Sequence, residues 1–175
     1  PPPPPPPTPP PAQPRGLGEA HTRQAYRDAI RAKTAKLFAA ASEIGAVVAE
    51  RPATEAAALE SYGTNFGIAF QLIDDVLDYS AEQTKLGKAI GDDFREGKIT
   101  LPLIHALVAA GDAGRSHVET ILKRQERSES DWLEVLDFVI EHGGLTTAIA
   151  TAREYAERAE KCLDVLGPSL PRSIL

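Results

Sequence analysis

The sequence predicts an all-α protein, and three observations lead there. Apolar residues recur at helical spacing through 20–49, 55–80 and 146–166. Breaks rich in proline, glycine or charge separate such stretches, at Arg51-Pro52, through 81–98 and at Gly143-Gly144. No run alternates apolar and polar residues as a half-buried strand would. The 175 residues set the scale of one domain.

The elements follow in order. Eleven of the first fourteen residues are proline. Proline lacks the donor a helix needs, so residues 1–18 should be extended or disordered rather than helical. Gly16-Leu17-Gly18 is no nucleotide loop, because no strand precedes it. From Ala20 to Ala49, an alanine-rich stretch places Ile30, Leu37, Phe38, Ile44, Val47 and Val48 at helical spacing. Thr54 is the expected N-cap of the next helix, Glu55 to about Ser80. Within it Gly63 and Gly67, four apart, should let another helix approach closely. Thr100 should cap a helix with Pro102 in its first turn, running through Ile104 and Leu107 to Gly111. A short amphipathic helix is expected from Arg115 to Gln125. Another runs from Asp131 to His142, with Asp131-Trp132-Leu133-Glu134 as its capping box. The last helix, Thr146 to Leu166, aligns Ala148, Ala152, Tyr155, Ala159, Leu163 and Leu166 on one face.

The chemistry concentrates between Phe66 and Lys98. Asp74, Asp75 and Asp78 lie in an otherwise apolar helical run. Residues three and four apart share a helix face, so all three carboxylates can project to one side. At about 4 Å and an effective dielectric of about 20, each like-charged pair costs roughly 4 kcal/mol. A bound cation relieves that repulsion. Carboxylate oxygens are hard donors, which makes Mg²⁺ the natural partner, completed by phosphate oxygens and water.

A second cluster follows in Gly87-Lys88-x-x-Gly91-Asp92-Asp93-Phe94-Arg95-Glu96-Gly97-Lys98. Its glycines allow tight turns and close backbone approach. Lys88 and Lys98 are point charges suited to phosphate. Asp92 could reach a metal-bound water. Carboxylates, metal and polyanion together suggest a diphosphate site.

These residues resemble a known family. Phe70-Gln71, Asp74-Asp75-x-x-Asp78, Gly87-Lys88-x-x-Gly91-Asp92-Asp93 and Glu96-Gly97-Lys98 are similar to the second aspartate-rich region of trans-isoprenyl diphosphate synthases. Arg31-Ala32-Lys33-Thr34 resembles that family's K-T element, and Lys98-Ile99-Thr100-Leu101-Pro102 resembles its long-chain branch, which makes quinone side chains. The resemblance runs from about Glu19 to Leu175. It implies an isoprenoid-synthase-type helical bundle, here partial, with 19–175 as the C-terminal part.

The resemblance also implies a reaction: condensation of an allylic diphosphate with isopentenyl diphosphate to lengthen a trans-polyprenyl chain. In the family, Mg²⁺ bridges the diphosphate to two aspartate motifs. Here Asp74, Asp75 and Asp78 would form one of them, with Asp92 acting through water. Lys33, Lys88 and Lys98 would contact the diphosphate, Thr34 and Gln71 would hydrogen-bond, and Phe70 would belong to the substrate site. Lys88 and the three aspartates would carry catalysis.

The sequence departs from the family by holding one such motif, with no second D-D-x-x-D. The segments that hold isopentenyl diphosphate in the family have no counterpart, and the chain reads as roughly the second half of a synthase. Two alternatives stay open: a class I terpene synthase-like lyase, and a non-catalytic partner subunit of a prenyl synthase. A homodimer or hetero-oligomer is expected.

Composition excludes several other classes. A net charge of −6 argues against general nucleic-acid binding. A single cysteine, Cys162, forms no internal disulfide and fits a reducing, cytoplasmic setting. No run of eighteen apolar residues could form a transmembrane segment. His21, His105, His117 and His142 share no metal spacing, and no G-x-S-x-G supports hydrolase chemistry.

Overall fold

A computed structural model describes residues 19–80 and 91–166, with side chains from Arg23 onward apart from Ala113. Gly87 and Lys88, the proline-rich start and the segment after Leu166 lie outside the described residues. Among the described residues there are helices and turns and no strand, as expected.

The alanine-rich stretch is not one uniform helix. It forms α1 (Glu19–Ile30), a π-helical segment (Arg31–Ala35) and α2 (Lys36–Val48). A π turn holds an extra residue and shifts the face that the following helix presents. Here it sets Ala35, almost wholly buried, against the next helix, α3 (Ala53–Leu77). The close approach there depends on glycine. A Cβ at Gly67 would lie 2.9 Å from the Ala35 Cα, and one at Gly63 would fall on the Phe38 carbonyl oxygen. Gly63 and Gly67 thus do what their spacing suggested.

Three caps differ from expectation. Helix α3 starts one residue before Thr54, with Pro52 at the N-cap position and no side-chain cap bond. Proline already fixes the backbone entering that helix, so the threonine hydroxyl is not needed. Downstream, α4 (Asp92–Arg95) is a single turn, and α5 (Leu101–Leu122) breaks at Gly111, whose φ of 64° breaks the helical geometry. That break separates the two helices read from the sequence. Thr100 does sit at the N-cap of α5, but its hydroxyl hydrogen-bonds the buried Tyr79 hydroxyl at 3.3 Å instead of capping.

Helix α6 (Glu129–Glu141) begins earlier than expected, because its capping box is Ser128 with Asp131. The Asp131 backbone N–H donates to Ser128 Oγ at 3.2 Å, and the Ser128 backbone N–H donates to Asp131 at 2.8 Å. The last helix, α7 (Gly144–Cys162), ends in a 3₁₀ turn over Leu163–Leu166. Ala148, Ala152, Ala159 and Leu163 are buried along its expected face.

Two clusters hold these elements. One gathers Phe94, Leu103, Ile121, Trp132, Val135 and Val139 among α4, α5 and α6. The other joins Ile30 and Ala35 to Ile68, Leu72 and Val76 of α3 and to Ala148 and Ala152 of α7. The acid-bearing end of α3 lies between the two, with Val76 in one cluster and Tyr79 in the other. No helix among the described residues is long and apolar enough to cross a membrane.

Candidate functional site

The three aspartates occupy the end of α3, and they are not equivalent. Asp75 is only 3% exposed and Asp78 is also buried, whereas Asp74 is exposed. Asp75 accepts hydrogen bonds from the Tyr26 hydroxyl and, at 2.9 Å, from the Gln71 amide. The same amide lies 3.3 Å from Asp74. Gln71 in turn accepts from the Thr34 hydroxyl at 3.0 Å. A chain of contacts therefore runs from the K-T element through Gln71 to Asp74 and Asp75. The π segment makes it possible, since it carries Thr34 to α3 where α1 and α2 meet.

Asp78 does something else. Its two carboxylate oxygens accept the backbone N–H groups of Asp92 and Asp93, each at 3.2 Å. Its carbonyl accepts from Gly91 at 3.0 Å. Asp78 thus seats the turn of Gly91, Asp92 and Asp93 on the end of α3. Gly91 is required at this junction. Its φ is +80°, and a Cβ there would come within 2.6 Å of the Trp132 ring. Behind the loop, Arg127 donates to the carbonyls of Phe94 and Leu122 and lies 4.7 Å over the Phe94 ring.

Lys98 reaches Asp93 at 2.6 Å and Glu96 at 2.8 Å. Partial burial lowers its affinity for a proton, but these carboxylates outweigh that and hold it above its ordinary value. Glu96 is held low by its hydrogen bond from Lys98 and also feels the charge of Lys33. Glu96 thus feels positive charge from two different elements. Asp92 is exposed and 3.5 Å from Arg95. Phe70 stands beside the acids, 53% exposed, its ring 5.5 Å from that of Phe38.

Burial pushes Asp75 up to about 6, against the pull of its two hydrogen bonds, and Asp93 and Asp74 push the same way. Asp78 is also raised, first by burial and then by Asp93. Neither has an ion-pair partner among the described residues. Nor are three His, Cys, Asp or Glu side chains gathered there into a ready metal cage. Buried carboxylates short of positive charge, with an exposed third beside them, fit a hard divalent cation that takes its remaining ligands from phosphate and water.

The structure thus brings Lys33, Thr34, Phe70, Gln71, Asp74, Asp75, Asp78, Asp92 and Lys98 to one end of the α1–α3 layer. Lys88 lies outside the described residues. Tyr26 was missed by sequence reasoning: it lies 49 positions from Asp75, and nothing local marks it. Asp93 and Glu96, to which the sequence gives no role of their own, hold Lys98.

Comparison with known proteins gives the class. Residues 15–139 match the model of the polyprenyl synthetase family, and the chain belongs to that family. It is 42% identical over 146 residues to an octaprenyl diphosphate synthase of Haemophilus influenzae, covering 82% of this chain and 44% of that one. It is 36% identical over 155 residues to a short chain isoprenyl diphosphate synthase of Methanothermobacter thermautotrophicus, covering 88% and 47%. A crystal structure of a polyprenyl synthase from Caulobacter crescentus, complexed with calcium and isoprenyl diphosphate, superposes with a TM-score of 0.77. There the identity is 42%, over 87% of this chain and 45% of that one. The chain thus spans less than half the length of these relatives.

Proposed function

We propose that this chain carries the aspartate-rich, diphosphate-holding side of a trans-prenyltransferase site. The reaction would join an allylic diphosphate to isopentenyl diphosphate and lengthen the product by five carbons. The observation that carries this reading is the contact chain from Thr34 through Gln71 to Asp74 and Asp75. It couples two separate family motifs in one place.

Mg²⁺ bound here would neutralise the diphosphate as it departs. Asp74, Asp75 and Asp78 would hold it, with Asp92 reaching it through water. Tyr26 and Gln71 fix the Asp75 carboxylate, and Asp78 fixes the loop. Lys33, Lys98 and Lys88 would supply positive charge to the diphosphate oxygens, and Thr34 a hydroxyl. Binding the anion would draw Lys98 away from Asp93 and Glu96. Phe70 and its apolar neighbours would shield an allylic cation from water.

Membership of the polyprenyl synthetase family favours this elongating reading over a terpene-type lyase. Octaprenyl relatives and the Lys98–Pro102 phrase support a long-chain product. We place the protein in the cytoplasm, associated with a second copy or another subunit. Calorimetry in Mg²⁺ with an allylic diphosphate provides the test. Lys33→Ala and Lys98→Ala should each weaken binding about ten- to a hundredfold, the size of a charge-assisted contact. Unchanged affinity in both would remove these lysines from the site.

A further inference from the structure

A cavity of about 640 Å³ lies beside the acid site, between α1, α3, α5 and α7. That volume is typical of small-ligand sites. Its lining is cationic: Arg23, Arg27 and Arg31 come from successive turns along α1 and the π segment. Arg158 also lines it but is partly engaged, 3.5 Å from Glu154 and over the Tyr155 ring. Glu60 is the remaining acid of the lining, so positive charge is in excess.

Two buried atoms in this lining have no partner. Nε of Arg23 and Nε2 of His105 are shielded from solvent and make no hydrogen bond among the described residues. A buried polar atom left unsatisfied is costly, and native structures rarely tolerate two at one site. His105 is depressed below its ordinary value by burial and then by the charges of Arg23 and Arg27. Both arginines line the same cavity as His105. One anion in the cleft would satisfy both orphan atoms and relieve the crowding of like charges. The forked donors of arginine match phosphate oxygens in particular.

We propose that this arginine cleft is a second diphosphate-binding site, independent of Mg²⁺ and of the aspartates. It adjoins the acid site, because Tyr26 lines the cleft and donates to Asp75. A diphosphate could reach it free, as the anion released by prenyl transfer, or attached to a prenyl chain.

The test is calorimetry on the full 175-residue chain in EDTA, with inorganic diphosphate and, separately, an allylic diphosphate. EDTA silences the metal-dependent site, so a failure here leaves the reading of the aspartates untouched. Inorganic diphosphate should bind, and Arg23→Gln should weaken it roughly tenfold or more. Arg27→Gln and Arg31→Gln change exposed side chains that do not endanger folding, and together they should do the same. Asp74→Asn should leave this binding intact. Equal affinity for both ligands assigns the free anion; tighter binding of the prenyl ester assigns a tail laid against Ile68 and Leu101 in the same cleft. No binding in EDTA, or binding indifferent to all three arginines, would overturn the proposal.

Discussion

Around Trp132, the side chains of Phe94, Leu103, Ile121, Val135 and Val139 are sealed from solvent, and the ends of the elements are tied by a capping box and by Arg127. Along α2 and the facing part of α3 the same kinds of residue stand open. Leu37 is 72% exposed and Val48 79%, with Ile44 between them on one stripe and Phe66 and Phe70 beside it. The first region is closed around Trp132, with Leu133 and Ile140 of α6 left more than half exposed. The second presents an apolar face of the kind that marks an interaction surface. The candidate site adjoins both: the turn of Asp92 and Asp93 is anchored in the closed region, and α3, which contributes Phe66 and Phe70 to the open one, carries the aspartates at its end. The turn that carries Asp92 and Asp93 is thereby packed in place, whereas the α2–α3 face is left uncovered among the described residues.

The largest expected effect tests the closed region. Phe94→Ala removes a fully buried ring from beside Trp132 and loosens the turn that presents Asp92 and Asp93. Urea unfolding should show a loss of about 3–5 kcal/mol. A loss below about 1 kcal/mol would mean that the loop has no packed anchor.

The second concerns a charge buried at the end of α3. Asp75 is raised from 3.8 to about 6 by burial. The unfolded chain releases this proton near the ordinary value, while the folded chain keeps it until about pH 6. Its contribution to stability is therefore full below about pH 4, declines as pH rises to about 6, and is level above. Asp75→Asn cannot ionise and keeps an oxygen for Tyr26. In metal-free buffer its stability relative to wild type should rise by up to about 3 kcal/mol across that window. A difference that is flat with pH would contradict the burial argument.

The smallest effect sharpens the contrast. Replacing Leu37, Ile44 and Val48 together by serine should change stability little, about 0.5 kcal/mol per site or less. The same variant should reduce self-association in sedimentation. Destabilisation as large as that of Phe94→Ala would show that this stripe belongs to a core.

Much of this arrangement is legible in the sequence because it is local. Helical periodicity places α2, α3 and α7, the spacing of Gly63 and Gly67 announces a close helix pair, and Asp74, Asp75 and Asp78 mark themselves by their setting. What is not legible depends on tertiary register. The π segment at Arg31–Ala35 has no signature of its own, since Ala-Lys-Thr-Ala suits an ordinary helix, and the extra residue is held by the fit of Ala35 against Gly67. Tyr26 becomes a site residue only once α1 folds back to α3. Ser128 and Asp131 were readable as a capping box, but the same aspartate also begins the pattern Asp131 to Glu134, and the earlier pair wins because both of its hydrogen bonds form. Thr100 resembles a cap in sequence, yet the buried Tyr79 hydroxyl claims its side chain.

We propose that Asp74, Asp75 and Asp78 hold a divalent cation together with a diphosphate. Calorimetric titration of Mg²⁺ into the chain, with and without inorganic diphosphate, tests it most directly. Asp74→Asn is the decisive variant, because Asp74 is exposed and its change spares both the Asp75 contacts and the loop seat at Asp78. The account predicts weak Mg²⁺ binding alone, marked strengthening with diphosphate, and loss of about tenfold or more of that strengthening in the variant. Equal Mg²⁺ affinity for wild type and variant in the presence of diphosphate would contradict it.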